Sequence, residues 1–236
     1  MAASGPEPHP GVGTAPGALD TNALRESPYI TSLLTKANEY MNAIGYTEHG
    51  VRHAERSSQM AGQILSALGY PERVCRLAGM AAYLHDIGNS VARDGHHISG
   101  AHIAMDFLRQ RGLTAEEITD VASAIGNHEE SAGAPITPIA AAVIIADKAD
   151  VHRSRVQNDD PSTFDIHDRV NWSTVDSGLE VDPDAKLIRL ELRIDTEVST
   201  VMEYFEIFLD RMVLCRKAAE KLGCRFQLII NGQRLD

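Results

Sequence analysis

The segment AAYLHDIGN, residues 81–89, constrains this chain more than any other stretch. Adjacent side chains on a helix point about 100° apart, so an imidazole and a neighbouring carboxylate share a target only where a helix ends. The apolar residues before the segment recur at helical spacing, and Gly88 offers a left-handed stop. We therefore expect His85 and Asp86 at the end of a buried helix. For this dipeptide alone, an ordinary hydrogen-bonded pair at a helix terminus is an equal alternative.

The overall composition excludes several classes of protein. Of the 236 residues, 43% are hydrophobic and 23% are charged, which is typical of a globular protein. The net charge of -11 disfavours nucleic acid as a partner, because phosphate backbones bind basic stripes. Three scattered cysteines without a CxxC pair do not indicate a disulfide framework or a cysteine metal site. With no apolar run of membrane-spanning length and no secretory leader, we expect a cytoplasmic protein without a membrane partner.

Sequence patterning divides the chain into three regions. Residues 1–27 are rich in Gly and Pro, and we expect a disordered tail. Residues 28–170 show helical patterns, with helices expected over about 28–45, 47–68, 71–84, 96–112, 114–126 and 139–149. Residues 171–236 predict a small α+β module of order β-β-α-β, with strands over 172–181, 186–195 and 226–230. The fold class is therefore mainly α, and the apolar face of the last helix is a candidate surface for a homodimer.

Four histidines and two aspartates stand at expected helix ends or at inward-facing positions. Imidazole and carboxylate suit manganese, iron, zinc, cobalt or nickel, whereas calcium and magnesium favour oxygen-rich sites. Taken singly, each histidine also fits an interior packing role, and the last aspartate also fits a pair with a neighbouring cation. That aspartate lies in an almost wholly apolar helix, so it must be paired, neutral or bound to a metal. The six residues are His53, His85, Asp86, His96, His128 and Asp147.

This order of ligands on successive helices resembles the HD superfamily of metal-dependent phosphohydrolases, over roughly residues 28–155. The resemblance implies an HD-type helical bundle and two divalent metals, iron or manganese first and zinc, cobalt or nickel as alternatives. It implies that Asp86 bridges two metals, that His96 and His128 hold the second, and that the first is held by His53, His85, Asp86 and Asp147. The cyclic-dinucleotide branch carries paired histidines and a Gly-Tyr-Pro triplet where this chain has Asn127-His128-Glu129-Glu130, so we do not expect that substrate.

The same resemblance implies hydrolysis of a phosphoester in a nucleotide or another small phosphorylated molecule, with a metal-activated water as nucleophile and Asp86 at the catalytic metals. Lys148, Arg153 and Arg155 are candidates to bind the phosphate, although a solvated basic turn is an equal alternative. Asn89 stands where many relatives carry a phosphate-contacting Lys. Lys148 and Asp150 are further catalytic candidates, Asp150 for proton transfer. Two other functions stay open: a di-iron oxygenase of the HD type, and a regulatory or binding protein.

Overall fold

A computed structural model describes residues 21–235, and nine α-helices and four strands lie within them. The first 20 residues of the expected tail lie outside the described part. The helices are α1 Thr21–Arg25, α2 Pro28–Ala43, α3 Val51–Ala67, α4 Glu72–Leu84, α5 His96–Arg109, α6 Ala115–Gly126, α7 Pro138–Ala149, α8 Ile166–Ser173 and α9 Val201–Lys221. The strands are β1 Thr174–Asp182, β2 Leu187–Ile194, β3 Arg225–Ile230 and β4 Gln233–Arg234. The mainly α fold class predicted from the sequence is confirmed.

Helix α7 lies at the centre of the helical part because nearly all of its side chains are apolar and buried. It packs against α3, α4, α6 and α9. Thr137 caps its first turn by accepting a hydrogen bond from the Ala140 amide, and Pro138 occupies the first turn. A capping box at Thr114 and Glu117 opens α6, as the sequence predicted.

The C-terminal strands form one sheet of order β1-β2-β3-β4. β1 and β2 are antiparallel, whereas β2 and β3 are parallel and are joined through α9. The β-β-α-β order therefore holds, with the short β4 added at the edge. One cluster of buried apolar side chains runs from the helices into this sheet, including Ile144 of α7, Phe208 of α9 and Leu190 of β2. The division of the chain at residue 170 stays a prediction.

Three segments differ from the sequence expectation. Residues 21–25 form α1 rather than a disordered tail, because Leu24 is fully buried and Arg25 pairs with Glu55 at 2.9 Å. The second long helix begins at Val51 rather than Thr47, since the Glu48 side chain accepts from the Gly50 amide and holds an extended loop before the helix. Residues 166–173 form α8, so Trp172 is helical and β1 begins only at Thr174.

Gly88 is not the left-handed helix stop that the sequence suggested, since α4 already ends at Leu84. It has no positive φ and lies in a short 3₁₀ turn, Ile87–Ser90. A Cβ at this position would lie 1.9 Å from the carbonyl oxygen of His96 and 2.6 Å from the Gly100 amide nitrogen. The glycine is therefore required by the close approach of α5. No helix within residues 21–235 combines the length and apolar character that crossing a bilayer requires.

Candidate metal centre

The six residues singled out from the sequence converge in the interior of the helical part. They come from α3 (His53), the end of α4 (His85 and Asp86), the first residue of α5 (His96), the residues after α6 (His128) and α7 (Asp147). The four histidines and Asp86 are buried, and the Asp147 side chain is 11% exposed. The structure thus brings together residues that span 95 positions of the chain, 53 to 147.

One half of the centre joins His53, His85 and Asp147 to one oxygen of Asp86. The Nε2 atoms of His53 and His85 are 3.2 Å apart. Asp147 Oδ1 lies 3.2 Å from the first and 3.6 Å from the second. Asp86 Oδ2 lies 3.7 Å from His53 Nε2 and 3.2 Å from His85 Nε2. We call this set the first half.

The other half joins His96 and His128 to the second oxygen of Asp86. The two Nε2 atoms are 3.1 Å apart. Asp86 Oδ1 lies 3.6 Å from His96 Nε2 and 3.9 Å from His128 Nε2. We call this set the second half. Because each oxygen of Asp86 faces a different pair of imidazoles, the carboxylate lies between the two halves.

Every imidazole of the centre donates its Nδ1 proton away from the centre. His53 Nδ1 donates to Asp150 Oδ2 at 2.7 Å, and His85 Nδ1 to the Ala82 carbonyl at 2.6 Å. His96 and His128 donate to the carbonyls of Arg93 and Ile125, at 3.0 and 2.7 Å. A neutral imidazole carries one N–H, so in the neutral form each Nε2 presents a lone pair toward the centre.

The facing lone pairs indicate what chemistry the centre is built for. Two Nε2 lone pairs about 3 Å apart repel each other unless a proton or a cation lies between them. Metal–ligand bonds of about 2.1 Å at angles near 90–110° would place neighbouring ligand atoms about 3.0–3.4 Å apart, close to the separations in both halves. Asp86 Oδ2 is buried and has no hydrogen-bond partner. The donor set therefore fits divalent cations.

The charges of the centre lead to the same conclusion. Burial lowers the pKa of His85, yet the Asp86 and Asp147 carboxylates raise it to about 10. The pKa of Asp86 lies well below its usual range despite burial, chiefly because of His85. Burial lowers the pKa of His96 to about 4 and holds that of His128 well below its ordinary value. Without a metal, a proton on His85 therefore neutralises part of the negative charge that a cation would otherwise balance.

Asp150 supports the first half from behind. Its carboxylate accepts from His53 Nδ1, and it pairs with Arg52 and Arg56, each at 3.0 Å. Burial raises the pKa of Asp150, but the His53 hydrogen bond and the arginines lower it well below its usual value. This carboxylate faces the outer nitrogen of His53, so we assign it a positioning role where the sequence suggested proton transfer.

Two of the predicted substrate-binding residues, Lys148 and Asn89, contact carboxylates of the centre. Lys148 is buried, and its Nζ pairs with Asp147 Oδ2 at 2.6 Å and with Glu130 Oε1 at 3.2 Å. Asn89 Nδ2 donates to Asp86 Oδ1 at 2.9 Å, so it orients the shared carboxylate.

The two arginines after Asp150 contact other parts of the chain. The buried Arg155 donates to the carbonyls of Glu48 and Asp150, at 2.6 and 3.0 Å, and thereby holds the loop before α3. Arg153 lies over the Trp172 ring, with its guanidinium carbon 5.7 Å from the ring centroid. Their suggested role in binding phosphate stays a prediction.

Sequence reasoning missed two charged residues that border the second half. Arg93 Nη1 lies 3.3 Å from His96 Nε2, and Arg93 Nη2 lies 3.5 Å from Glu129 Oε2. Glu129 Oε2 is itself 3.4 Å from His96 Nε2. Burial and the neighbouring Glu130 raise the pKa of Glu129 to about 7. The only available sequence signal was adjacency, because Arg93 lies three residues before His96, in the loop that leads to α5, and Glu129 follows His128 directly.

Comparison with known proteins shows what this chain is similar to. Residues 47–152 match the family model of the HD domain, and all six residues of the centre lie within this range. Over 176 residues the chain is 29% identical to the "Uncharacterized protein MJ1020" of Methanocaldococcus jannaschii, which covers 65% of this chain and 67% of that protein. It is also similar to the crystal structure of a "predicted HD superfamily hydrolase" from an uncultured Thermotogales bacterium, with 23% identity, a TM-score of 0.42 and coverage of 56% of this chain and 74% of that one.

The match over residues 47–152 relates this part of the chain to the HD domain, in agreement with the ligand order. The match and the clustered His and Asp side chains together fit a centre that binds divalent metal.

Proposed function

We propose that this protein is a phosphohydrolase that binds two divalent transition metals and cleaves a phosphoester in a small molecule. The observation that carries the proposal is the position of Asp86, whose two oxygens face two separate imidazole pairs. A carboxylate placed in this way supports two adjacent cations, and in such a site the metals lower the pKa of a bound water and neutralise charge on the phosphoryl oxygens. Iron or manganese suits this mixed nitrogen and oxygen donor set.

The residues of the chain would hold and orient these groups. The outward Nδ1 hydrogen bonds fix each imidazole with Nε2 inward. Asn89 fixes the shared carboxylate, and Lys148 fixes Asp147. We propose Arg93 as the phosphate contact, because its guanidinium borders the second half of the centre. The distance from Arg93 Nη2 to Glu129 Oε2 is 3.5 Å, so this ion pair holds the guanidinium only weakly. A planar guanidinium matches two phosphoryl oxygens.

The experiment is a metal analysis of the purified protein, followed by a screen of phosphorylated compounds with manganese or iron added. We expect about two metals per chain and release of inorganic phosphate. The Asp86→Ala variant should lose both the bound metals and the release of phosphate. The matched control is Asp168→Asn, because Asp168 is also buried but lies on α8, outside the centre.

Three results would change this proposal. Phosphate release that persists in Asp86→Ala would remove Asp86 from its assigned place. If no phosphoester is cleaved but the iron-loaded protein takes up oxygen, the di-iron oxygenase would replace the hydrolase, since the two share their ligands. A protein that binds no metal would favour the regulatory role.

A further inference from the structure

A cavity of about 480 Å³ adjoins the second half of the centre. Its lining includes Arg93 and Glu129, which both lie within 3.5 Å of His96 Nε2. It also includes His49, whose ring lies edge-on to that of His53 with centroids 5.8 Å apart. A volume of this size accommodates a small metabolite, so this is where the organic part of a substrate would lie.

Each arginine in the cavity lining already faces a carboxylate. Arg93 pairs with Glu129 at 3.5 Å. Arg211 Nε pairs more tightly with Glu130 Oε1, at 2.6 Å, and its guanidinium also lies over the Phe208 ring. The metals and Arg93 would balance one phosphoryl group. Further phosphates would require cations that are not already paired, because buried or half-buried anions need a partner.

Two carboxylates at the exposed side of the cavity have no cation beside them. Asp165 and Asp210 are both exposed and both line the cavity. Asp165 caps α8 by accepting from the Asp168 amide, and no ion pair within residues 21–235 reaches either carboxylate. An ionised carboxylate only accepts hydrogen bonds, so a ligand here has to supply donors. A second or third phosphate would instead meet like charge.

We propose that the cavity selects a phosphomonoester whose organic part is rich in hydrogen-bond donors, such as a polyol or an amino alcohol, and that it rejects nucleoside di- and triphosphates. This inference rests on the proposed function and specifies its substrate class. The selection follows from the distribution of charge: the positive groups lie at the centre, and the unpaired acidic groups lie at the outer end.

The reaction that this selection implies is a simple hydrolysis. The oxygen of water forms a bond to phosphorus as the bond between phosphorus and the ester oxygen breaks. The ester oxygen leaves with the bonding electron pair and takes up a proton that derives from the water. The products are the free alcohol and inorganic phosphate, so no oxidant or reductant is required.

The first experiment compares kcat/KM across four probes with the metal-loaded protein. Ribose 5-phosphate and phosphoethanolamine each carry one phosphate and several donors, phenyl phosphate carries one phosphate without donors, and ATP carries three phosphates. We expect one or both of the donor-rich probes to exceed phenyl phosphate about tenfold and ATP about 100-fold. Comparing the first two separates hydroxyl from ammonium recognition.

The second experiment removes the acidic side chains and includes binding as an independent readout. In Asp165→Asn/Asp210→Asn, Asn retains the capping ability at position 165. We expect the preference for the donor-rich probes over ATP to decrease about tenfold in kcat/KM. The same decrease should appear in the ratio of dissociation constants measured by calorimetry on the metal-free protein. The control Asp159→Asn/Asp184→Asn makes the same change in net charge at exposed residues outside the cavity lining. It should leave both ratios within about twofold.

The outcomes separate this inference from the proposed function. ATP or phenyl phosphate hydrolysed as well as the donor-rich probes would overturn the inference and leave the phosphohydrolase in place. An equal narrowing in the control would also overturn it, because the effect would then come from net charge. If no probe is hydrolysed, the proposed function fails, and the calorimetric ratio alone decides the selectivity.

Discussion

The two halves of the centre share Asp86 but differ in what lies behind their imidazoles. In the first half, His53 donates to the Asp150 carboxylate, and Asp147 adds a second negative charge. In the second half, His96 and His128 donate only to backbone carbonyls, and Asp86 is the one carboxylate of the set. A carboxylate behind a histidine increases its basicity and fixes its ring, so the first half should bind metal more tightly.

The difference indicates how the two halves would divide the work. The first half lies against charged residues that are engaged with one another, namely Asp150 with its arginines and Lys148 with Glu130. The second half borders the cavity through Arg93 and Glu129. We expect the first half to hold its metal permanently. The second half should exchange its metal more readily and meet the substrate.

Removal of the shared carboxylate should have the largest effect, because it affects both halves at once. Asp86→Ala should bind less than one metal per chain and lose phosphohydrolase activity by about a thousandfold or more. His96→Ala should lose only the second metal and keep the tighter one. Metal content after gel filtration distinguishes the two variants. Equal metal loss in both would contradict the division into halves.

Gly88 tests whether the halves depend on close packing between α4 and α5. Gly88→Ala would place a methyl group 1.9 Å from the His96 carbonyl and 2.6 Å from the Gly100 amide, both of them backbone atoms. We expect the free energy of unfolding to fall by about 3 kcal/mol in urea titrations, with loss of the second metal. Gly126→Ala in α6 is the control, since a Cβ there meets nothing within 4 Å. An unchanged midpoint for Gly88→Ala would refute the packing argument.

Asp150 tests the tighter binding of the first half directly. Asp150→Asn keeps the shape but removes the charge behind His53, so the affinity of the first metal should fall about 10–100-fold. The affinity of the second should change little. Chelator competition resolves the two steps, and Asp168→Asn is again the control. If Asp150→Asn instead lowers the affinity of the weaker of the two metal-binding steps, the assignment of tight and weak binding to the two halves is reversed.

The last prediction concerns pH and the metal-free protein. The pKa of His85 is raised to about 10, against roughly 6.5 for an unfolded imidazole. Its proton therefore stabilises the folded state fully below about pH 6.5, and this stability is lost as pH rises toward 10. Denaturant titrations in EDTA should give a lower free energy of unfolding at pH 9.5 than at pH 7. In His85→Gln this difference should disappear. Bound metal would replace this proton, so the dependence of the unfolding free energy on pH should also become weaker in the metal-loaded protein.

Much of the fold could be read from the sequence because its signals are local. Helical periodicity, the capping box at Thr114 and the strand alternation each depend on residues within a few positions of one another. The errors occurred where tertiary contacts decide. Helix α1 exists because Leu24 is buried, and Gly88 is needed because α5 approaches it.

For the candidate site, the sequence by itself determined which side chains are available: four histidines and two aspartates in an order that resembles one superfamily. Only the tertiary structure decided how they divide into halves. It also placed Lys148, Arg155 and Asp150 in supporting positions and brought Arg93 to the centre. The physical reason is that residue type sets what a group can bind, whereas the direction in which a side chain points depends on contacts with distant parts of the chain.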